Sequence, residues 1–175
     1  MQIRLWFIIM TGFATFSLHA QEYNRLITDP RFGTEELFGY CNREGLVRGE
    51  FGTHFGHEYI YEPDAESIHG IREIPPDYRI TLVMGSWCSD SREQVPRFYR
   101  ILDDAGIDSD IMQVICVDGY KSAGKIQLYH LGIEFVPTFI FTREGTEIGR
   151  IIETPVALLE EDFLSIIVQT PDSGQ

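Results

Sequence analysis

An α/β fold with a central mixed sheet flanked by helices is predicted by three observations. Two near-continuous apolar runs, residues 78–84 and 111–117, read as strands buried on both faces. Between them Val95, Phe98, Tyr99 and Leu102 recur at i, i+3, i+4 and i+7, the single apolar stripe of a helix. Two such strands joined by a helix form a βαβ unit. Further on, Glu144-Gly145 divides two more strand-like stretches, residues 138–142 and 147–152, as a hairpin turn does.

The chain before this unit reads in three parts. In residues 1–20, Arg4 is the only charge, an apolar run spans residues 5–18, and Leu18-His19-Ala20 precedes Gln21. This is the layout of a cleaved signal peptide, so the protein is expected to be exported, periplasmic or extracellular, with no stable membrane anchor after cleavage. Residues 21–77 form an N-terminal extension of short helices and an aromatic-rich arm. Residues 21–33 read as irregular. Thr34 is placed to cap a short helix over residues 35–42, with Leu37, Phe38 and Cys41 on one inward face. Residues 45–62 hold Phe51, Phe55, Tyr59 and Tyr61 without clean periodicity, which predicts a packed but irregular arm. His54 and His57 sit there three apart with no third ligand at hand, so no metal site is assigned. Pro63-Asp64 opens a helix over residues 64–72, and Pro75-Pro76-Asp77 breaks the chain before the domain at residues 78–170.

Within that domain the central helix begins at Ser89-Asp90-Ser91, capping residues with Glu93 in the first turn, and Gly106 is its stop. Pro96 lies inside it. A helical pattern covers residues 120–131, stopped by Gly132. Thr154-Pro155 opens a last helix with Leu159, Phe163, Ile166 and Ile167 on its apolar face and Glu160, Glu161 and Asp162 on its wet side.

Charge and cysteine usage narrow the function. The formal net charge is −13, with Lys121 and Lys125 the only lysines. Such acidity argues against nucleic acid and anionic membrane surfaces as partners. Three cysteines, Cys41, Cys88 and Cys116, are too few for a disulfide scaffold, and their odd number leaves one thiol over in an oxidising compartment. Cys116, inside an apolar run, reads as a small buried hydrophobe. Cys88 is different. It stands where a buried strand turns through Gly85-Ser86 into a helix, next to unpaired backbone N–H groups and the positive end of the helix dipole, which favour a thiolate.

Trp87-Cys88 at the first strand–helix junction, Pro96 eight residues after Cys88, and Gly132-Ile133-Glu134-Phe135-Val136-Pro137-Thr138 before the hairpin together resemble the thioredoxin superfamily over about residues 78–169, with a Trp-Cys-Ser-Asp-Ser variant of its motif. The resemblance implies a thioredoxin-like fold, Cys88 as nucleophile, Pro137 as a cis-proline that turns the Val136 backbone toward the sulfur, and Trp87 as an apolar platform for substrate. Two departures stand out. Ser91 replaces the second cysteine of the motif, and Leu82 replaces the family's buried acid. Ser91 and Asp90 are left as groups that tune the sulfur, Asp90 equally as a stabiliser of the helix start. The implied activity is thiol–disulfide exchange through mixed disulfides on one cysteine, without a cofactor, the partners being protein or small-molecule thiols and disulfides. Cys41 is a possible resolving thiol, with a buried core thiol as its other reading. Two other functions compete: a redox-inactive module that binds peptides or a partner in the same groove, and one-cysteine binding of glutathione or an Fe–S cluster, against which stands a shortage of basic residues near the site.

Overall fold

The computed structural model describes residues 22–169, so the signal-peptide segment lies outside the described residues. The order is β1 (Arg25–Thr28), β2 (Glu35–Cys41), α1 (Arg43–Leu46), α2 (Gly49–Glu58), α3 (Ala65–Glu73), β3 (Tyr78–Met84), α4 (Ser89–Ala105), β4 (Met112–Cys116), β5 (Thr138–Arg143), β6 (Thr146–Ile152) and α5 (Leu159–Ile167). Six strands form one mixed sheet in the order β1-β2-β4-β3-β5-β6. Only β3 and β4 run parallel, Leu82 opposite Val114; the other neighbours are antiparallel. This is the α/β class expected.

The strand period of two sorts the apolar residues onto two faces. Leu82, Met84, Val114 and Cys116 join the main core, which α2 to α5 cover. There Phe98 of α4 stacks on Phe139 of β5 and Phe163 of α5, with ring centroids 4.5 and 5.2 Å apart, and Tyr78 meets Phe163 edge-on at 5.9 Å. Val83, Ile115, Val117 and Val136 form a smaller cluster on the other face, against which Trp87 and Cys88 pack. α4 runs past Pro96 without a break, so the Arg92 carbonyl loses its helical partner there. Gly106 closes α4 in the left-handed conformation, φ 74°.

The extension departs from its sequence reading. Residues 25–28 are a strand, and residues 35–41 are a strand where a helix is expected. The spacing of Leu37, Phe38 and Cys41 suits either, but Gly39 at φ 79° is incompatible with a helix, and pairing to β1 and β4 decides the matter. Residues 49–58 are helical despite three glycines, because Phe51 and Phe55 at i, i+4 bury against α4; Phe55 contacts Tyr99 at 5.5 Å. Tertiary burial here outweighs low helix propensity. The extension is thus continuous with the sheet and the core, and the boundary at residue 78 divides a single packed body.

Two corrections fall later in the chain. The stretch read as a helix over residues 120–131 is a series of turns ending in a short 3₁₀ segment, Tyr129–Leu131. Asp118 Oδ1 accepts from the amides of Tyr120 and Ser122 at 2.9 Å each, and Lys121 and Gly124 take φ of 61° and 67°. A side chain that satisfies backbone donors locally competes with a helix. Glu160, read as solvent-facing, is fully buried: it accepts from the Asp64 amide at 2.7 Å and from the Tyr61 hydroxyl at 3.1 Å, tying α5 to the start of α3.

The aromatic stack under the sheet is expected to dominate stability. Phe163→Ala removes a ring that touches Tyr78, Phe98 and Phe141. It should cost about 3–5 kcal/mol in urea unfolding, where an exposed control such as Val156→Ala costs little.

Candidate active site at Cys88

Cys88 is the residue just before the first turn of α4, at φ −84° and ψ 130°, and is partly exposed. The turn that delivers it is held on several sides. Cys88 N donates to Gly85 O at 3.0 Å, Arg92 Nε donates to Ser86 O at 2.8 Å, and Gly85 N donates to Ser91 Oγ at 3.3 Å. Gly85 has to be glycine, because a Cβ there would lie 2.5 Å from the Trp87 indole. The indole in turn donates from Nε1 to Val117 O at 3.0 Å, fixing its plane beside the sulfur.

The Val136–Pro137 peptide bond is cis. The Val136 carbonyl lies 3.1 Å from Cys88 Sγ and accepts the thiol proton. The turn is pinned by Thr138 Oγ1 donating to Phe135 O at 2.7 Å, and by Glu153 N donating to Pro137 O at 2.7 Å. Val136 and Pro137 are buried, whereas Phe135 is exposed at the rim. The sulfur thus has one hydrogen-bond partner, the Val136 carbonyl, and among the described residues it makes no capping bond to the N–H groups that open α4.

The other residues singled out from sequence divide. Trp87, Val136 and Pro137 surround Cys88. Ser91 is fully buried, and its hydroxyl contacts the Gly85 amide; among the described residues no hydrogen bond links it to Cys88. Asp90 lies in the first turn of α4, half-buried, and its carboxylate makes no hydrogen bond or ion pair among the described residues. Cys41 is not brought to Cys88. It is buried in the main core beside Cys116, on the opposite face of the sheet from the cluster that Cys88 packs against. Burial pushes the Cys116 thiol up, with Cys41 next to it adding to the effect. Among the described residues no group of three or more His, Cys, Asp or Glu side chains is placed to hold a metal ion, and His57 meets only Glu58 at 2.9 Å. Among the described residues no helix is long and apolar enough to cross a membrane.

The structure adds residues that sequence pattern does not reveal. The β1–β2 turn reaches across to the site. Asp29 in it is 1% exposed and accepts from the amides of Arg31, Phe32 and Gly119 at 2.7, 2.9 and 2.7 Å. Burial opposes the charge, but these three amides and the nearby Arg31 outweigh it, so the carboxyl is held below its ordinary range. Arg31 also donates to Gly119 O at 2.9 Å. Thus clamped, the turn lays Phe32 on Trp87, centroids 5.3 Å apart, with the Arg31 guanidinium 5.0 Å from the Phe32 ring. The only advance signal was an aspartate followed by a proline and a glycine at positions 29, 30 and 33, a turn signature with nothing to say where the turn docks.

No protein-family model matches the chain, and no curated protein matches it. Among solved structures, a Pseudomonas aeruginosa protein described as of unknown function is 15% identical, with TM-score 0.50, over 67% of this chain and 81% of its own. A thioredoxin from Fasciola hepatica is 16% identical with TM-score 0.37, covering 52% of this chain and 78% of its own. Thioredoxin 2 from Pseudomonas aeruginosa is 22% identical with TM-score 0.35, covering 63% and 96%. At such identities a likeness concerns the fold alone.

Because Asp29 holds the Phe32 turn, Asp29→Ala should destabilise the protein by about 1–3 kcal/mol near neutral pH, through stranded amides. Its folded-state acidity lies below the unfolded value, so the carboxylate's contribution is full above the unfolded value near 3.8. It fades as pH falls from there through the folded value. The stability gap between the two proteins, measured by urea unfolding from pH 7 to pH 3, is expected to narrow only at the acid end.

Proposed function

We propose that this protein is an exported thiol–disulfide oxidoreductase of the thioredoxin superfamily that works through the single thiol of Cys88. The observation that carries the reading is a partly exposed sulfur at the head of α4, 3.1 Å from the carbonyl that precedes a cis-proline. The Cys88 thiolate attacks one sulfur of a substrate disulfide. That S–S bond breaks, a Cys88–substrate S–S bond forms, and the second substrate sulfur leaves as a thiolate. A second thiol, small or on a partner, then attacks the mixed disulfide, which returns Cys88 and carries the oxidation away as a new disulfide.

The chain's own residues have separable roles in this scheme. Trp87, steadied by Val117 O and covered by Phe32, is the apolar wall against which the substrate rests. The Val136 backbone faces the sulfur and can pair with an extended substrate segment. Ser91 supports the turn through Gly85 and cannot resolve the adduct, since a hydroxyl forms no disulfide. Cys41 and Cys116, both buried on the far face, take no part. Export fits, because disulfides persist outside the cytosol.

The test is insulin reduction with glutathione as the thiol donor. Activity is expected to fall to background in Cys88→Ser and to persist in Cys41→Ser and Cys116→Ser. No turnover with any thiol donor, alongside peptide binding that survives Cys88→Ser, would make the protein a binding module in the same groove.

A further inference from the structure

A cavity of about 370 Å³ opens on the other side of the Cys88 turn, between the β1–β2 hairpin, α2 and Ser86. Its size falls in the range of small-ligand sites. Most of its wall comes from the extension, with Leu26, Leu37 and Phe51 its apolar residues and Glu35, Glu36 and Glu50 its acidic ones. Leu26 is 54% exposed, an uncovered leucine at a cavity wall.

Glu36 is the unusual group. It is 5% exposed, yet no lysine, arginine or histidine forms an ion pair with it among the described residues. Its oxygens accept one hydroxyl each, Thr34 Oγ1 at 2.8 Å and Ser86 Oγ at 2.5 Å. An ionised carboxylate offers about four acceptor sites, so roughly half its capacity is unused. Two arginines also line the cavity, and each is already held by a partner. Arg48 pairs with Glu44, and Arg92 bonds Glu50 at 3.1 Å and Ser86 O at 2.8 Å. A buried carboxylate without a counter-charge is costly, and a cation entering the cavity would supply one. The net charge of −13 draws cations toward the surface in general.

We propose that this cavity binds an organic cation: an ammonium or guanidinium group on a short apolar stem, with the charged head on Glu36 and the stem along Leu26, Leu37 and Phe51. That chemistry is offered by a free alkylamine and by a lysine or arginine side chain of a polypeptide. The proposal is independent of the chemistry assigned to Cys88. Nevertheless the cavity shares Ser86 with the turn that presents the sulfur, so an occupant would touch the Cys88 support from behind.

Amide NMR titration of the ¹⁵N-labelled protein with butylammonium, butylguanidinium and butyrate tests it. The two cations are expected to shift the amides of Thr34, Leu37 and Ser86, and butyrate is not. Glu36→Gln keeps an acceptor for a hydroxyl but removes the charge, and should weaken cation binding about tenfold or more. Leu26→Lys, at an exposed position, places a competing cation at the cavity and should do the same with an unchanged unfolding midpoint. Comparing the blocked peptide acetyl-Gly-Lys-Gly-amide with its norleucine counterpart separates the sources. Lysine-specific binding as tight as that of butylammonium assigns the site to a polypeptide side chain, and binding of the free amines alone assigns it to a small molecule. Equal shifts with butyrate, no shifts with either cation, or cation binding unchanged in both variants would overturn the proposal.

Discussion

The structure depends on the confinement of β3. This strand has a hydrogen-bonded neighbour on each side, β4 and β5, and an apolar layer on each face. Leu82, Val83 and Met84 are fully buried, so the strand can neither slip nor tilt without exposing one face to water. Where it ends, the chain must leave the sheet at a fixed point and in a fixed direction. Gly85 to Cys88 is that exit. The position of the sulfur is therefore set by the packing of the sheet as much as by the turn itself. The same confinement places the β5 entrance, and with it Val136 and Pro137, next to the exit, because Val83 and Thr138 are register partners.

Around this fixed pair the extension builds what the sheet alone does not supply. Its hairpin brings Asp29, Arg31 and Phe32 to Gly119 and Trp87, and its second strand brings Glu36 to Ser86. One buried carboxylate holds a loop through backbone amides; the other meets a side-chain hydroxyl in the turn that precedes the cysteine. The same hairpin carries Arg31 to the Gly119 carbonyl and the Phe32 ring, where its charge lies beside Asp29. The far end of the extension is secured by Glu160, whose carboxylate satisfies the first turn region of α3 from within the core.

The legible part of the molecule was the part whose periodicity is dictated by burial. The strand at residues 78–84 and the helix stripe through Phe98 read correctly because the one ends in three consecutive buried residues, Leu82 to Met84, and the other buries a single stripe. The extension was opaque for a different reason. Its first strand is only four residues long and lies at the sheet edge, its second carries a left-handed glycine, and its helix α2 is diluted by glycine, so long-range pairing and aromatic contacts decide its structure. The false helix after Asp118 shows the opposite failure: an apolar rhythm was present, but a local side-chain acceptor captured the amides. Residue identity likewise pointed to Cys88, Trp87, Val136 and Pro137, which the fold gathers, and to Cys41, which strand register carries to the far face beside Cys116. Phe32 and Glu36 had no local signature, since their roles arise only from what they dock against.

The most direct measurement is trapping. The reduced protein is mixed with a disulfide-linked peptide dimer, quenched in acid, digested and mapped by mass spectrometry, before and after addition of a second thiol. The expected result is one peptide attached through a disulfide at Cys88, released by the second thiol, with Cys41 and Cys116 unmodified. Absence of an adduct at Cys88, or its appearance at Cys41 or Cys116 in the folded protein, would contradict a reactive role for the sulfur at the head of α4.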